Sequence, residues 1–317
     1  MIPIKHSKLE ELAQKHWEGI KNRNVAAFSK IDFQNVEKWF SDRGYAFEKI
    51  IKAKPNELTN IAQNLFQQPR YIQKGKQKIP VYDYYDKGTN ISTIKKLINL
   101  YKDFAKSKSS WKVGNEKYNA HILVEKLGIE VCPYCNRNYI RNLQDKRTCE
   151  LDHFYPKEAY PFLAMSFYNL IPSCKTCNQT LKGVKEISIN PYDVDFFKEK
   201  YSFKLKIKEI SFYHDSKRGF EIVYDEIKQK LDRNFTVFAI EKLYNQHKDL
   251  ILELIQKQVT YSDDYIDDLF KRYEGTLFKN KEDVLRHIAG NYVSEEDFHK
   301  RPLSKLTHDI AKDLGLI

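Results

Sequence analysis

Four cysteines fall in two pairs of identical spacing, Cys132-Pro-Tyr-Cys135 and Cys174-Lys-Thr-Cys177. Each pair offers two sulfurs across one turn, and four thiolates match the tetrahedral preference of Zn²⁺. Between the pairs lie Leu151-Asp-His-Phe-Tyr-Pro-Lys157 and Ser166-Phe-Tyr-Asn169, and Asn178 directly follows Cys177. The outer residues read as a metal staple and the inner ones as working groups. Asp152 offers a hard oxygen ligand suited to Mg²⁺ or Mn²⁺, and Asn178 can add an amide oxygen. The imidazole of His153 can accept a proton from water near neutral pH. Together they suit hydrolysis of a phosphodiester by in-line attack of water. Cys149 stands apart from the pairs in a strand-like run, where a buried neutral thiol is expected.

In this combination the stretch from Val131 to Gly183 resembles the HNH endonuclease family, also called the ββα-metal nucleases. The resemblance implies that Asp152-His153 ends the first strand of a hairpin and that Asn169 lies on the second. Asn178 then sits on the helix that follows. It further implies one catalytic divalent ion held by Asp152 and Asn178, His153 as general base, and 5′-phosphate and 3′-hydroxyl products from DNA, most readily double-stranded. Asn169 is implied to fix the loop carrying His153 by hydrogen bonding to its backbone. Many members place a lysine three residues after the last Asn, whereas Lys182 comes four after Asn178. Members with long helical flanks look like components of bacterial anti-phage systems, including the Septu type, in which an ATPase partner accompanies the nuclease.

The elements that position these groups are read from periodicity. Neighbouring strand residues face opposite ways, so Asp152 and His153 must sit where the strand ends and the backbone twists. Cys174 and Cys177 are one helical turn apart with Asn178 four beyond Cys174, so a zinc clamp would hold Asn178 toward the hairpin. Lys157, Lys175 and Lys182 are candidate phosphate contacts, while Tyr155 and Tyr168 are expected to pack.

Upstream, Ser7 to about Phe66 has helical spacing (Leu9, Leu12, Ala13, His16, Trp17; then Val36, Trp39, Phe40). Gly44 interrupts it, and Asn56 is expected to cap the segment after Pro55. Lys74, Lys76 and Lys78 beside Tyr82, Tyr84 and Tyr85 suit either a surface hairpin or a nucleic-acid contact. A helix carrying Ile94, Leu97, Ile98, Tyr101 and Phe104 follows, then a break at 107–110 and a helix from Glu116 to Leu127. Downstream, Phe203–Lys208 and Phe220–Tyr224 alternate as the strands of a hairpin turned by Asp215–Gly219. One long helix is predicted over Phe238–Ile255, with shorter ones over 263–273, 281–288 and from Ser304.

The expected class is α+β: a mostly helical chain around a small ββα-metal core with structural zinc. The division is a helical region over 1–118, the zinc-bearing core over 119–192, and a hairpin plus helices over 193–317. Lys and Arg outnumber Asp and Glu by 54 to 43, for a net charge of +11, which favours phosphate-rich partners through counterion release. No apolar run reaches bilayer length and the first residues lack a signal-peptide core, so a cytoplasmic location is expected. The competing functional reading is a non-catalytic zinc-ribbon module that binds nucleic acid or protein.

Overall fold

The computed structural model describes residues 1–68, 70–74, 77–81, 93–106, 111–144, 146–194, 201–215, 217–225 and 229–317. Helices form where apolar residues recur at three and four. α1 (Leu9–Lys21) buries Leu12, Ala13, His16, Trp17 and Ile20. α2 (Lys30–Ser41) begins at Ser29, whose hydroxyl accepts from the Asp32 N–H while Asp32 accepts from the Ser29 N–H, satisfying two donors that the first turn leaves open. Gly44 interrupts with φ +79°, and α3 (Phe47–Lys52) and α4 (Pro55–Leu65) follow.

The cap of α4 differs from expectation. Lys54 occupies that position and Pro55 opens the helix; the Lys54 N–H donates to Glu57 at 3.1 Å. Proline has no N–H to satisfy at the first helical position, so the boundary falls two residues earlier than an Asn56 cap allows.

β1 (Arg70–Lys74) and β2 (Gln77–Val81) pair antiparallel. Lys74 and Lys78 lie on these strands, whereas Lys76, Tyr82, Tyr84, Tyr85 and the 107–110 break fall outside the described residues. α5 (Lys96–Phe104) buries Leu97, Leu100 and Phe104. The helix expected from Glu116 starts later: Glu116–Lys117 forms β4 against β3 (Lys112–Val113), and α6 (Ala120–Leu127) opens at Asn119, whose side chain accepts from the Ile122 N–H at 3.1 Å.

The centre of the chain is a hairpin followed by a helix. β5 (Glu150–His153) pairs antiparallel with β6 (Leu170–Ser173), with Asp152 opposite Ile171 and His153 opposite Leu170. The helix Thr176–Lys182 is π-wound, and its wider turn is marked by Gly183 N–H donating to the Asn178 carbonyl, five residues back, at 2.8 Å. Asn178 and Lys182, four apart, both bond to β5, as residues at that spacing on one helix face can.

β7 (Phe203–Ile207) and β8 (Phe220–Tyr224) form the predicted downstream hairpin. The single helix expected over Phe238–Ile255 is instead α8 (Ile240–Tyr244) and α9 (Lys248–Thr260), and it is preceded by α7 (Gln229–Val237), a helix the expectation did not include. Ala239 breaks the first junction at φ +48°. At the second, the Asn245 side chain bonds both the N–H (3.0 Å) and the carbonyl (2.8 Å) of Ile222 on β8. Apolar periodicity runs through both breaks, so only tertiary contacts reveal them. α10 (Asp263–Tyr273), α11 (Lys281–Ala289) and α12 (Ser304–Asp313) complete the chain. The class is α+β, with helices around short antiparallel pairs. No described helix is long and apolar enough to cross a membrane.

Candidate functional site

The first Cys pair lies on a tight turn. Asn136 N–H donates to the Cys132 carbonyl at 2.7 Å, and the Cys132 N–H to the Asn138 carbonyl at 3.0 Å. Asn136 holds this turn at φ +48°, a conformation Asn tolerates better than most residues. Its side chain donates to the Phe298 carbonyl (3.0 Å) and accepts from the Lys305 N–H (3.1 Å), tying the turn to the start of α12. The second pair enters the π-wound helix directly after β6.

These two turns bring all four sulfurs within 4.8 Å of one another, every one of the cysteines buried. Tetrahedral Zn–S bonds of about 2.3 Å place sulfurs about 3.8 Å apart, and Cys135 and Cys174 stand at 4.0 Å. Amides surround the cluster: Asn138 Nδ2 donates to the Cys174 sulfur at 3.3 Å, and the Arg137 N–H to the Cys135 sulfur at 3.4 Å. Within the cluster the thiols share their protons unequally: hydrogen bonds from the other three and from Asn138 push Cys174 down, while burial pushes Cys132 up and hydrogen bonds with its neighbours push Cys177 up. The four side chains fit Zn²⁺, which would pin the Cys132 turn to the start of the helix. Cys149 is buried and outside this cluster, its thiol pushed up to about 11 by burial.

Asp152 and Glu150 face the π-wound helix, as strand alternation demands. Asp152 is 3% exposed. Lys182 Nζ lies 3.1 Å from both of its oxygens, and Tyr134, from the first Cys turn, donates its hydroxyl to Oδ2 at 2.7 Å. Burial raises the Asp152 carboxyl, opposed by the Lys182 ammonium and the Tyr134 hydroxyl. Glu150 accepts from Asn178 Nδ2 at 2.7 Å and from the Gln179 amide.

His153 points to the other face. Its Nε2 meets the Ala164 carbonyl at 3.0 Å, and its ring stands edge-on to Tyr101 with centroids 4.3 Å apart. A carbonyl only accepts, so Nε2 carries the proton and Nδ1 the lone pair. Burial, with smaller contributions from Lys157 and Lys182, pushes the imidazole down to about 3.

Asn169 sits one residue before β6, in the 3₁₀ turn Phe167–Asn169 and not on the strand. It is fully buried. Its Oδ1 accepts from the Tyr155 N–H (2.7 Å), and its Nδ2 donates to the carbonyls of Tyr155 (3.2 Å) and Leu163 (2.9 Å). The residues just after His153 and those before Ala164 are thereby joined through one amide.

The four inner residues therefore share one hairpin and helix without converging on one point. Asp152 and His153 lie within the ladder and face opposite ways, so the expected twist at the strand end does not unite them. Asp152 in this arrangement does not fit a divalent ion, since both oxygens are taken and the carboxylate is enclosed. Among the described residues the cysteine cluster is the one group of three or more Cys, His, Asp or Glu ligands. Lys182, expected as a phosphate contact, is 1% exposed and bound to Asp152. Lys175 is exposed, and Lys157 is half-buried beside Glu158 at 2.9 Å. Tyr155 and Tyr168 pack, as expected.

Sequence reasoning passed over Tyr134, Glu150 and Tyr101. Glu150 was detectable as the residue two before Asp152, on its face. Tyr134 carried only its place inside a Cys pair, and Tyr101 belonged to an ordinary apolar stripe.

The chain is 41% identical over 63 residues to the Septu protein PtuB of Bacillus thuringiensis, covering 19% of this chain and 23% of that protein. It is 37% identical over 82 residues to Protein ea31 of Escherichia phage lambda, covering 23% of this chain and 25% of that one. The likeness is confined to a segment. The chain spans no more than 25% of the length of these curated relatives. No family model and no solved structure matches it.

Proposed function

We propose that the chain is a metal-dependent HNH-type endonuclease that hydrolyses DNA phosphodiester bonds. The observation that carries this reading is the His153 Nε2 contact with the Ala164 carbonyl. It orients the ring and leaves the lone pair on Nδ1, the tautomer a general base needs, while burial holds the imidazole down at about 3, so the reading requires substrate binding to raise its basicity. The order of hairpin and helix, with Asp152-His153, Asn169 and Asn178 placed along it, supports the reading. So does the four-cysteine cluster, which would hold the helix against the hairpin. Lys157 and Lys175 would meet the DNA backbone.

A requirement for Mg²⁺ or Mn²⁺ belongs to the reading, and its expected ligand Asp152 would have to give up its contacts with Lys182 and Tyr134 before joining Asn178 on an ion. Partial likeness to a Septu protein supports a role in anti-phage defence; an ATPase partner and a cytoplasmic location belong to the same proposal.

The test is conversion of supercoiled plasmid to nicked or linear forms with Mg²⁺ or Mn²⁺, alone and with the products of neighbouring genes. Wild type should cleave and His153→Ala should be slower by about 10²-fold or more. Zinc-loaded wild type inert under all these conditions would end the nuclease reading. A second reading, a non-catalytic zinc module that binds nucleic acid or protein, is favoured by Lys182 filling Asp152 and Glu150 engaging Asn178. DNA binding without cleavage would support it.

A further inference from the structure

Three consecutive backbone carbonyls are each gripped by a different side chain. Leu163 accepts from Asn169 Nδ2 at 2.9 Å, Ala164 from His153 Nε2 at 3.0 Å, and Met165 from His16 Nε2 at 2.9 Å. The next residue, Ser166, donates its hydroxyl to the Ile50 carbonyl of α3 at 2.9 Å. All four residues of this segment are fully buried, so no water is at hand to replace a lost partner. Of the groups that grip it, His16 and Ile50 belong to the N-terminal helices.

His16 is itself fixed. A carbonyl only accepts, so its Nε2 carries the proton and its Nδ1 accepts from the Tyr118 hydroxyl at 3.0 Å. α5 braces both imidazoles: Phe104 stands edge-on to His16 with centroids 5.2 Å apart, and Tyr101 edge-on to His153 at 4.3 Å. The carbonyls of Ala164 and Met165 belong to adjoining peptide planes, with only φ and ψ of Met165 between them. Freeing one therefore lets the other turn away.

Building on the nuclease reading, we infer that His16 is a positioning residue for His153, with the Ser166–Ile50 bond as its second tie. By fixing the Met165 carbonyl, His16 keeps the Ala164 carbonyl aimed at His153 Nε2 and so keeps the His153 lone pair on Nδ1. Without His16 the Met165 carbonyl is a buried acceptor with no donor, and the segment relaxes at the expense of that tautomer. The N-terminal helices thereby belong to the working unit of the hairpin.

The experiment uses the full-length zinc-loaded protein with its histidines labelled with ¹⁵N. Nitrogen chemical shifts separate a protonated ring nitrogen from a bare one, and His153→Ala assigns the His153 signals. Wild type should show one fixed His153 tautomer. In His16→Leu the two His153 nitrogen shifts should move toward each other as both tautomers populate. His16→Gln should restore the wild-type pattern, because its amide can donate to Met165 and accept from Tyr118. In plasmid cleavage His16→Leu should lose about tenfold in kcat with KM within about threefold of wild type, and His16→Gln should recover the loss. Ser166→Ala removes a single hydroxyl from the same segment and should shift the His153 signals in the same direction by a smaller amount. Folded His16→Leu with wild-type His153 signals overturns the inference, and where His16→Leu does not fold, unchanged signals in Ser166→Ala do so. The two failures are distinct. Shifted signals in a protein that never cleaves end the nuclease reading and leave the coupling of the two rings standing, whereas cleavage with unshifted signals ends this inference alone.

Discussion

The Tyr134 hydroxyl donates to Asp152 Oδ2 at 2.7 Å, and both residues are buried. Tyr134 lies between the cysteines of the first pair, so the turn that would hold zinc also grips the acid of the hairpin. Phe238 stacks on the Tyr134 ring at 4.5 Å and fixes it from behind. Tyr134→Phe keeps that packing and removes one charge-assisted bond. It should cost about 1–3 kcal/mol, read as a lower urea midpoint with an unchanged slope and unchanged zinc content. An unaltered midpoint would mean that Lys182 alone satisfies Asp152.

The cysteine cluster should hold one Zn²⁺ per chain by elemental analysis. Cys174→Ser, or removal of the ion by a strong chelator, should lower the melting temperature by about 10 °C or more, since a structural site couples binding to folding. Tyr244 donates to the Cys135 carbonyl at 2.6 Å, so protection of α8 amides from hydrogen exchange should fall at the same time. Full-length protein that melts identically with and without zinc would refute a structural ion.

Asn169 should be sensitive to loss of its amide. Asn169→Ala leaves the Tyr155 N–H and two carbonyls without their partner. A cost of about 2–4 kcal/mol is expected. Asn169→Asp keeps the acceptor for Tyr155 but loses both donations, and should also destabilise. Wild-type stability in both variants would leave the amide without a structural role.

Acid stability should report on His16. It is fully buried in α1, with Nδ1 3.0 Å from the Tyr118 hydroxyl and Nε2 2.9 Å from the Met165 carbonyl. Burial pushes it down from 6.5 to about 4. The unfolded chain takes up this proton first, so stability is full above pH 6.5 and falls as pH drops toward 4. His16 alone should account for a loss of about 2 kcal/mol between pH 7 and pH 5, beside a similar loss from the buried His153. Urea titrations at the two pH values should show it, and His16→Gln should reduce the slope by that amount. Equal slopes would place the acid sensitivity elsewhere.

Local chemistry made much of this protein legible in its sequence. Sulfur spacing alone identified the four-cysteine cluster, because a turn holding two thiols has one dominant use. Alternation identified β7 and β8, the family resemblance supplied β5, and apolar repeats identified α1, α2, α5 and α10 to α12. The α8 and α9 junctions were hidden, because Asn245 and Ala239 sit inside an unbroken apolar repeat and are set by contacts with β8 and the core. The start of α6 was displaced by the pairing of Glu116–Lys117 with Lys112–Val113, which helical periodicity does not register.

Residue types and order were thus enough to nominate Asp152, His153, Asn169 and Asn178. What each of them touches was decided by tertiary structure. Asp152 and His153 are neighbours in sequence, yet the ladder sends one toward Lys182 and the other toward Ala164 and Tyr101. Lys182 reads as one more surface lysine in a basic chain, and only the packing of its helix against β5 carries it inward. A sequence lists which groups are available; the direction of a side chain depends on backbone winding and on the partner waiting across the core, and both are set at a distance.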